Sequence, residues 1–290
     1  MKTRKKTRQI KIGDVLIGGN APIVIQSMNN TKTADVEGTL AQLRALKTAG
    51  CQIGRLAVPD QESAEALKKI IPESPLPLVA DIHFDHRLAL TSIKNGIQAL
   101  RINPGNIGSE EKVKAVIDAA KEKNIPIRIG INGGSLEKDL LLKYGNTAEA
   151  IVESALREAA VFEKYRFESV KISVKSSSVP KTVAAYKLLS AKVDYPLHLG
   201  VTEAGTLLKG SIKSALGIGI LLYEGIGDTI RVSLTGDPVQ EVVIAKEILK
   251  DLGLREEGIE LISCPTCGRT KVDLETMVTA VEDRLKDFTP

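Results

Sequence analysis

The sequence predicts a (β/α)8 TIM barrel, and three observations carry that prediction. Eight short apolar runs recur along the chain, an amphipathic helical stretch follows each, and most runs carry polar or charged residues at alternate positions near their C-terminal ends. The runs are 23–26, 53–57, 78–83, 99–103, 127–132, 170–175, 197–203 and 230–233. Side chains alternate along a strand, so Arg101 and Asn103 take one face while Leu100 and Ile102 take the other. Eight strand–helix pairs over ~230 residues agree with a barrel in count and length. An open doubly wound sheet would usually use five or six strands and leave edges.

In chain order, a basic tail (1–9) comes first. Lys2, Arg4, Lys5, Lys6 and Arg8 supply five positive charges, which leaves 35 basic against 36 acidic residues in the rest, so the net +4 belongs to the tail. A run of this kind reads as a solvated, disordered lead-in. Ile10, Ile12, Val15 and Ile17 then alternate around Gly13-Asp14, which predicts a hairpin plugging the barrel's lower end.

The helices follow. Residues 35–49 place Val36, Leu40, Leu43 and Leu46 on one stripe, with Gly50 as a stop. Residues 109–123 open on Ser109, Glu110 and Glu111 and close on Lys121 and Lys123, matching the helix dipole. Residues 147–165 carry Ile151, Ala155, Leu156, Ala159 and Phe162. Helices also fit 61–71, 85–95, 181–192 and 207–223, and Asp237-Pro238 starts one that runs through Leu252. The barrel domain is thus 10–253. From 254 to 290 the texture changes to a linker-like Glu256-Glu257-Gly258, a C-x-x-C knuckle at Cys264 and Cys267, and a helix over 273–287, the start of a second α+β module.

Composition narrows the function. Aromatics are 3% and no basic patch is interleaved with them, which excludes a nucleic-acid role. No apolar run is long enough to cross a bilayer and no secretory h-region follows the tail. Three cysteines in a chain this size point away from a disulfide scaffold and toward the reducing cytoplasm.

The chemistry lies in the inward strand positions. Strands of a parallel barrel are covered on both sides and normally read as near-continuous Val, Ile and Leu. Here the inward face would carry Arg55, Arg101, Arg128, Lys171, Lys175 and Arg231, with only Asp81 and Glu203 as acids and His83 and His198 nearby. Taken singly, any one arginine reads as an outward salt bridger, but six deviations in one direction do not. About four uncompensated cations, each costing several kcal/mol if buried unpaired, call for a polyanion in a solvated mouth. Guanidinium groups favour phosphate because they pair with it bidentately. Asn103, Asn132, Ser173, Thr202 and Ser233 add neutral hydrogen bonds. Asp81, His83, Glu203 and Lys171 are the acid–base candidates. Among arginines Asp81 should stay ionised, either orienting cations or meeting substrate hydroxyls.

Cys51 precedes the second strand and reads as a small buried apolar residue. Cys264 and Cys267 can be half of an iron–sulfur site, half of a zinc ribbon or a redox pair, and composition does not choose among them.

Several segments closely resemble the bacterial 4-hydroxy-3-methylbut-2-enyl diphosphate synthase family. They are Val79–Phe84, Leu100–Gly108, Ile129–Leu136, Leu199–Gly205 and Ile262–Arg269, and the resemblance runs from about residue 8 to 290. It implies reductive ring opening of 2-C-methyl-D-erythritol 2,4-cyclodiphosphate in the non-mevalonate isoprenoid pathway. A [4Fe-4S] cluster would deliver electrons from ferredoxin or flavodoxin. It further implies that Arg55, Arg101, Arg128, Lys171 and Arg231 hold the diphosphate, with Asn103, Asn132 and Ser233 assisting. Asp81, His83 and Glu203 would serve the erythritol carbons and proton handling, and Cys264 and Cys267 would be cluster ligands. The family completes its cluster with a third cysteine and a glutamate farther along, and works as a homodimer. This chain ends at Pro290 with neither ligand, so the expectation is a truncated chain that binds substrate without completing the cluster or turning over. Two alternatives remain: a transferase barrel of the dihydropteroate-synthase type, and a non-catalytic diphosphate-binding barrel.

Overall fold

A computed structural model describes residues 1–256, 259 and 261–285. A two-stranded hairpin, β1 (Ile10–Ile12) and β2 (Val15–Ile17), precedes eight parallel strands: β3 (Val24–Met28), β4 (Ile53–Ala57), β5 (Leu78–Asp81), β6 (Ala99–Ile102), β7 (Ile127–Asn132), β8 (Val170–Lys175), β9 (His198–Leu199) and β10 (Thr229–Ile230). The sheet order is β8-β7-β6-β5-β4-β3-β10-β9, and a parallel bridge between Ile172 and Leu197 joins its two ends. The expected barrel is therefore closed.

The helices are α1 (Val36–Thr48), α2 (Gln61–Glu73), α3 (His86–Lys94), α4 (Pro104–Ile107), α5 (Glu110–Glu122), α6 (Lys138–Tyr144), α7 (Ala148–Lys164), α8 (Val179–Lys192), α9 (Leu207–Tyr223) and α10 (Pro238–Asp251). Local caps set their starts: Asp35, Asp60, Thr147 and Ser178 each accept from the backbone N–H three residues on. The two short helices α4 and α6 were not expected. They lie in the loops after β6 and β7, where their few residues give no readable period.

The hairpin seals one end as the alternation suggested. Ile10, Ile12 and Ile17 pack in one buried cluster with Val24, Ile53, Val79 and Ala99, which open β3 to β6. Above that layer, the next inward residues are Gln26 on β3 and the charged Arg55, Asp81 and Arg101 on β4 to β6.

The basic segment 1–9 differs from its expected disorder. Lys2 and Lys5 backbone N–H groups donate to Tyr223 and Gly225, and that of Arg8 donates to Asp194. Lys5 Nζ reaches the Ser190 and Val193 carbonyls at the end of α8, and Arg8 pairs with Asp194 at 2.8 Å beneath the Tyr195 ring. Cations are favoured at helix C-termini because the last carbonyls point there unpaired, so charge that suggests solvation here docks the strand.

The chain divides into two compact units, Met1–Ile248 and Leu249–Pro290, where the sequence marked a change after Gly253. In the second unit α11 (Leu274–Leu285) buries none of its residues. The end of the expected 273–287 helix, Glu257, Gly258 and Glu260 lie outside the described residues. Among the described residues no helix is long and apolar enough to cross a membrane.

Candidate active site

Strand register brings the cations together. Asp81 on β5 lies opposite Arg101 on β6, Arg101 opposite Arg128 on β7, and Arg128 opposite Lys171 on β8. Arg55 stands two residues beyond Ile53 on β4, so it shares that residue's inward face. These groups are less solvated than the expected mouth: Arg55 is 9% exposed, Arg101 6%, Arg128 4%, Lys171 2% and Lys175 7%.

Asp81 is the hub. Its Oδ2 accepts from Arg55 at 2.7 Å and lies 3.2 Å from His83 Nε2, while Oδ1 accepts from Arg101 at 3.0 Å. Burial alone would raise its pKa. Arg55, His83 and Arg101 outweigh that and hold the carboxyl well below the usual range, so it stays ionised. His83 Nε2 also lies 3.2 Å from Arg101 Nη1, and its half-exposed side chain sits at the outer edge of this cluster.

The second interior acid is Glu241 on α10, which the sequence reading missed. It is 3% exposed and grips Arg231 with both oxygens at 3.2 Å. Glu203, the acid expected to point inward, instead sits exposed in the loop after β9 with φ +52°. β9 ends at Leu199, four residues before Glu203, so strand alternation does not reach Glu203 or set its direction. With Asn132, Gly133, Ser176, Lys181 and Thr202 it lines a cavity of about 360 Å³ at the C-terminal ends of β7 to β9. Asn103 is buried at the end of β6, and Ser233 is half-buried.

Lys171 lies lower than expected. It is the second residue of β8 and lines a cavity of about 10 Å³ with Ile10, Ile12, Gln26 and Arg128, next to the hairpin. Its Nζ has no hydrogen-bond partner, nor have the Gln26 amide atoms or His198 Nε2. Burial, with Arg128 beside it, lowers the Lys171 pKa to about 7. Burial and the surrounding cations also depress Lys175 and Arg128 well below their ordinary values. His198 is buried inside the barrel, donor or acceptor to Thr229 Oγ1 at 2.8 Å, and burial plus Lys175 hold it neutral. Arg128 Nη1 donates to Ser173 Oγ at 2.6 Å. Asp228, the nearest acid to Lys171's side of the barrel, spends its oxygens on Thr7 Oγ1 and Leu197 N–H.

Two inward glycines make the room. A Cβ on Gly130 would lie 2.6 Å from Arg101 Nε, and one on Gly200 would lie 2.6 Å from Lys175 Nζ and from the Arg231 carbonyl. Neither was singled out from the sequence, although both occupy the inward phase of their strands.

Among the described residues six interior cations thus face two carboxylates, Asp81 and Glu241, or three if Asp228 is counted. Burial is the main cause of the depressed Lys171 and Lys175 values, and the neighbouring cations add to it. The arrangement leaves the barrel interior with more cationic side chains than carboxylates.

Cys51 is buried, with Sγ 3.2 Å from the Ile53 carbonyl, and burial pushes its thiol up to about 11, as a structural cysteine should be. Cys264 and Cys267 are exposed, and hydrogen bonds from the Arg269 backbone and side chain lower the Cys267 pKa. Among the described residues no group of three His, Cys, Asp or Glu side chains gathers at one point. Two thiols do not close a four-ligand site, so the described residues do not by themselves fit a [4Fe-4S] cluster.

A family model described as the GcpE TIM-barrel domain matches residues 7–246. The chain is 62% identical to the 4-hydroxy-3-methylbut-2-en-1-yl diphosphate synthase (flavodoxin) of Maridesulfovibrio salexigens, over 99% of this chain and 80% of that protein. It is 61% identical to the protein of the same description from Caldanaerobacter subterraneus, over 98% of this chain and 80% of that one. Among solved structures, Yersinia pestis dihydropteroate synthase superposes with a TM-score of 0.59 at 13% identity, covering 84% of this chain and 98% of that one. A truncated 3-deoxy-D-arabino-heptulosonate 7-phosphate synthase from Thermotoga maritima gives 0.60 at 14%, covering 86% and 91%. These last two are likenesses of fold alone.

Proposed function

Since this chain belongs to the family of the GcpE TIM-barrel domain, and its relatives above are 4-hydroxy-3-methylbut-2-en-1-yl diphosphate synthases, we propose that it serves the same oxidoreductase reaction of isoprenoid biosynthesis. Its barrel binds 2-C-methyl-D-erythritol 2,4-cyclodiphosphate for reductive opening to the linear diphosphate. The observation that carries this reading is the cationic excess inside a closed barrel, with Arg55, Arg101, Arg128, Lys175 and Arg231 as the diphosphate's partners and Lys171 beneath them.

The residues divide the work. Asp81 Oδ1 accepts a single bond from Arg101, which leaves it a lone pair for a substrate hydroxyl. Held ionised, Asp81 orients rather than gives protons. Glu203 and His83 are the exposed groups at the rim, and they are the candidates for moving a proton to the departing side of the ring. Asn103, Asn132, Ser173 and Ser233 supply neutral donors and acceptors. The electrons reach the site from a redox partner, flavodoxin by the relatives' description. Cys264 and Cys267 would be two of the ligands of an iron–sulfur group that supplies electrons to the reaction, and the described residues do not complete its ligand set.

The second partner is another copy of the chain. Leu208, Ile212, Leu216, Ile220 and Tyr223 all lie exposed along one face of α9, at the three- and four-residue spacing of a helix stripe. A two-fold axis across such a stripe buries the same residues on both copies, which supports a homodimer. Free thiols and the absence of a bilayer-length helix among the described residues suit the cytoplasm.

Calorimetric titration with the cyclodiphosphate tests the assignment. Binding is expected at low ionic strength and should weaken as salt rises. No measurable affinity at low salt would remove the substrate.

A further inference from the structure

We infer that Glu241 is a positioning residue that fixes the arginine at the barrel's closing seam, Arg231, for anion recognition. The inference rests on the diphosphate reading above and deepens it.

Glu241 itself cannot take a ligand. Its Oε2 accepts from Arg231 Nε at 3.2 Å and Ser27 Oγ at 2.9 Å, and its Oε1 accepts from Arg231 Nη2 at 3.2 Å and the Leu234 N–H at 3.0 Å. Those four bonds fill the capacity of a carboxylate. Asp81 is different, since it carries three contacts and keeps a free site.

The geometry also fixes what Arg231 can offer. Glu241 takes one edge of the guanidinium in a bidentate pair, and among the described residues Nη1 on the other edge meets only Met28 Sδ, at 3.6 Å. A thioether is a weak acceptor, so Nη1 keeps its donors for an incoming oxygen. The three residues that donate to Glu241 are Ser27 on β3 and Arg231 and Leu234 in the segment after β10, the first and last strands of the barrel in chain order. Arg55 and Arg101 have no bidentate carboxylate: each donates one bond to Asp81, Arg101 adds only His83 Nε2 at 3.2 Å and the Gly130 carbonyl at 3.4 Å, and their Nε atoms have no partner among the described residues. Arg231 is therefore the pre-set member of the group.

Two effects oppose each other, and their sign separates the roles. If Glu241 only offsets charge, removing its charge raises the positive potential and the anion binds more tightly. If Glu241 positions Arg231, removing it frees a long side chain that must be reordered on binding, at about tenfold in affinity.

The experiment is a double-mutant cycle on the whole chain, with wild type, Glu241→Gln, Arg231→Met and the double variant titrated with the cyclodiphosphate and, in parallel, with inorganic pyrophosphate. Glu241→Gln should weaken binding about tenfold, and in the Arg231→Met background it should cost nothing further. A merely structural role would lower affinity in both backgrounds together with Tm. Tighter or unchanged binding by a folded Glu241→Gln overturns the inference while leaving the diphosphate reading intact, whereas failure of wild type to bind either ligand overturns both. Should Glu241→Gln not fold, Glu241→Asp takes its place in the same cycle with the same expected order.

Discussion

Arg101 lies against Gly130 so closely that the smallest side chain there would come within 2.6 Å of its Nε and 3.2 Å of its Cζ. The obstacle is the end of a flexible side chain rather than backbone, so the barrel can accept alanine by moving the guanidinium. Gly130→Ala is expected to cost ~1.5–3 kcal/mol of cyclodiphosphate binding, close to Arg101→Ala, with little change in Tm. Calorimetry on both variants and their combination checks it. Undiminished affinity in Gly130→Ala would mean that Arg101 is not held in the position the ligand needs.

Asp81 joins Arg55 and Arg101, and among the described residues neither arginine has another acid within salt-bridge distance. Asp81→Asn leaves both buried charges without a counter-ion and is expected to destabilise by ~3–5 kcal/mol. Pyrophosphate, by supplying the missing charge, should recover part of the lost Tm. Denaturant unfolding with and without pyrophosphate measures both, and a neutral substitution would disprove the hub.

Lys171 should change protonation when an anion arrives. Its pKa of about 7, depressed by burial, Arg128 and Arg55 and raised only in part by Asp228, leaves it largely neutral at pH 8. A polyanion above it restores the charge, so binding at pH 8 should take up protons. Titrations in Tris and Hepes, whose ionisation enthalpies differ, give the number. Lys171→Met should lower it, and a count of zero in the wild type would refute the idea.

The same values set a stability profile. Lys171 falls from 10.5 to about 7 on folding, so the unfolded chain holds more protons between those values and stability rises with pH across that window. Glu158 on α7 is buried facing Glu137 beneath Gly105, and burial raises it from 4.5 to about 7. Its folded form holds the extra proton, so its contribution is full below pH 4.5 and is lost as pH rises through 7. Glu158→Gln should flatten that falling limb and stabilise the protein at pH 8, as read by urea midpoints at several pH values. An unchanged profile would show that Glu158 does not keep its proton.

The α9 stripe should govern assembly. Ile212→Glu puts a charge at its centre and is expected to shift the protein to monomer in sedimentation velocity at micromolar concentration. A dimer unaffected by the change would move the interface elsewhere.

The elements were legible because their signals are local. The stripe of Leu40, Leu43 and Leu46 on α1 and the period-two alternation of Arg101 with Ile102 depend only on near neighbours, whereas Ser109, expected to cap α5, makes no side-chain cap bond. The interior cations were equally legible, since six charges on the buried phase of parallel strands have no bland explanation as a set. Glu241 was not, although it shares the helix phase of Ala245 and Ile248 on α10, where an acid on an apolar stripe is a readable anomaly. Glu203 was misplaced because β9 ends at Leu199, short of the apolar run that marked it in the sequence.

By itself, then, the sequence determined a closed eight-stranded barrel, its hairpin plug and a polar interior in excess of positive charge, because periodicity and capping depend only on neighbours in the chain. Tertiary structure alone decided which acid offsets which cation, that Lys171 sits at the floor and Lys175 four residues above it, that Gly130 and Gly200 clear the space, and that the basic N-terminus docks. Those outcomes depend on how strands register around the barrel and how α10 lies over its seam, and a one-dimensional pattern carries neither.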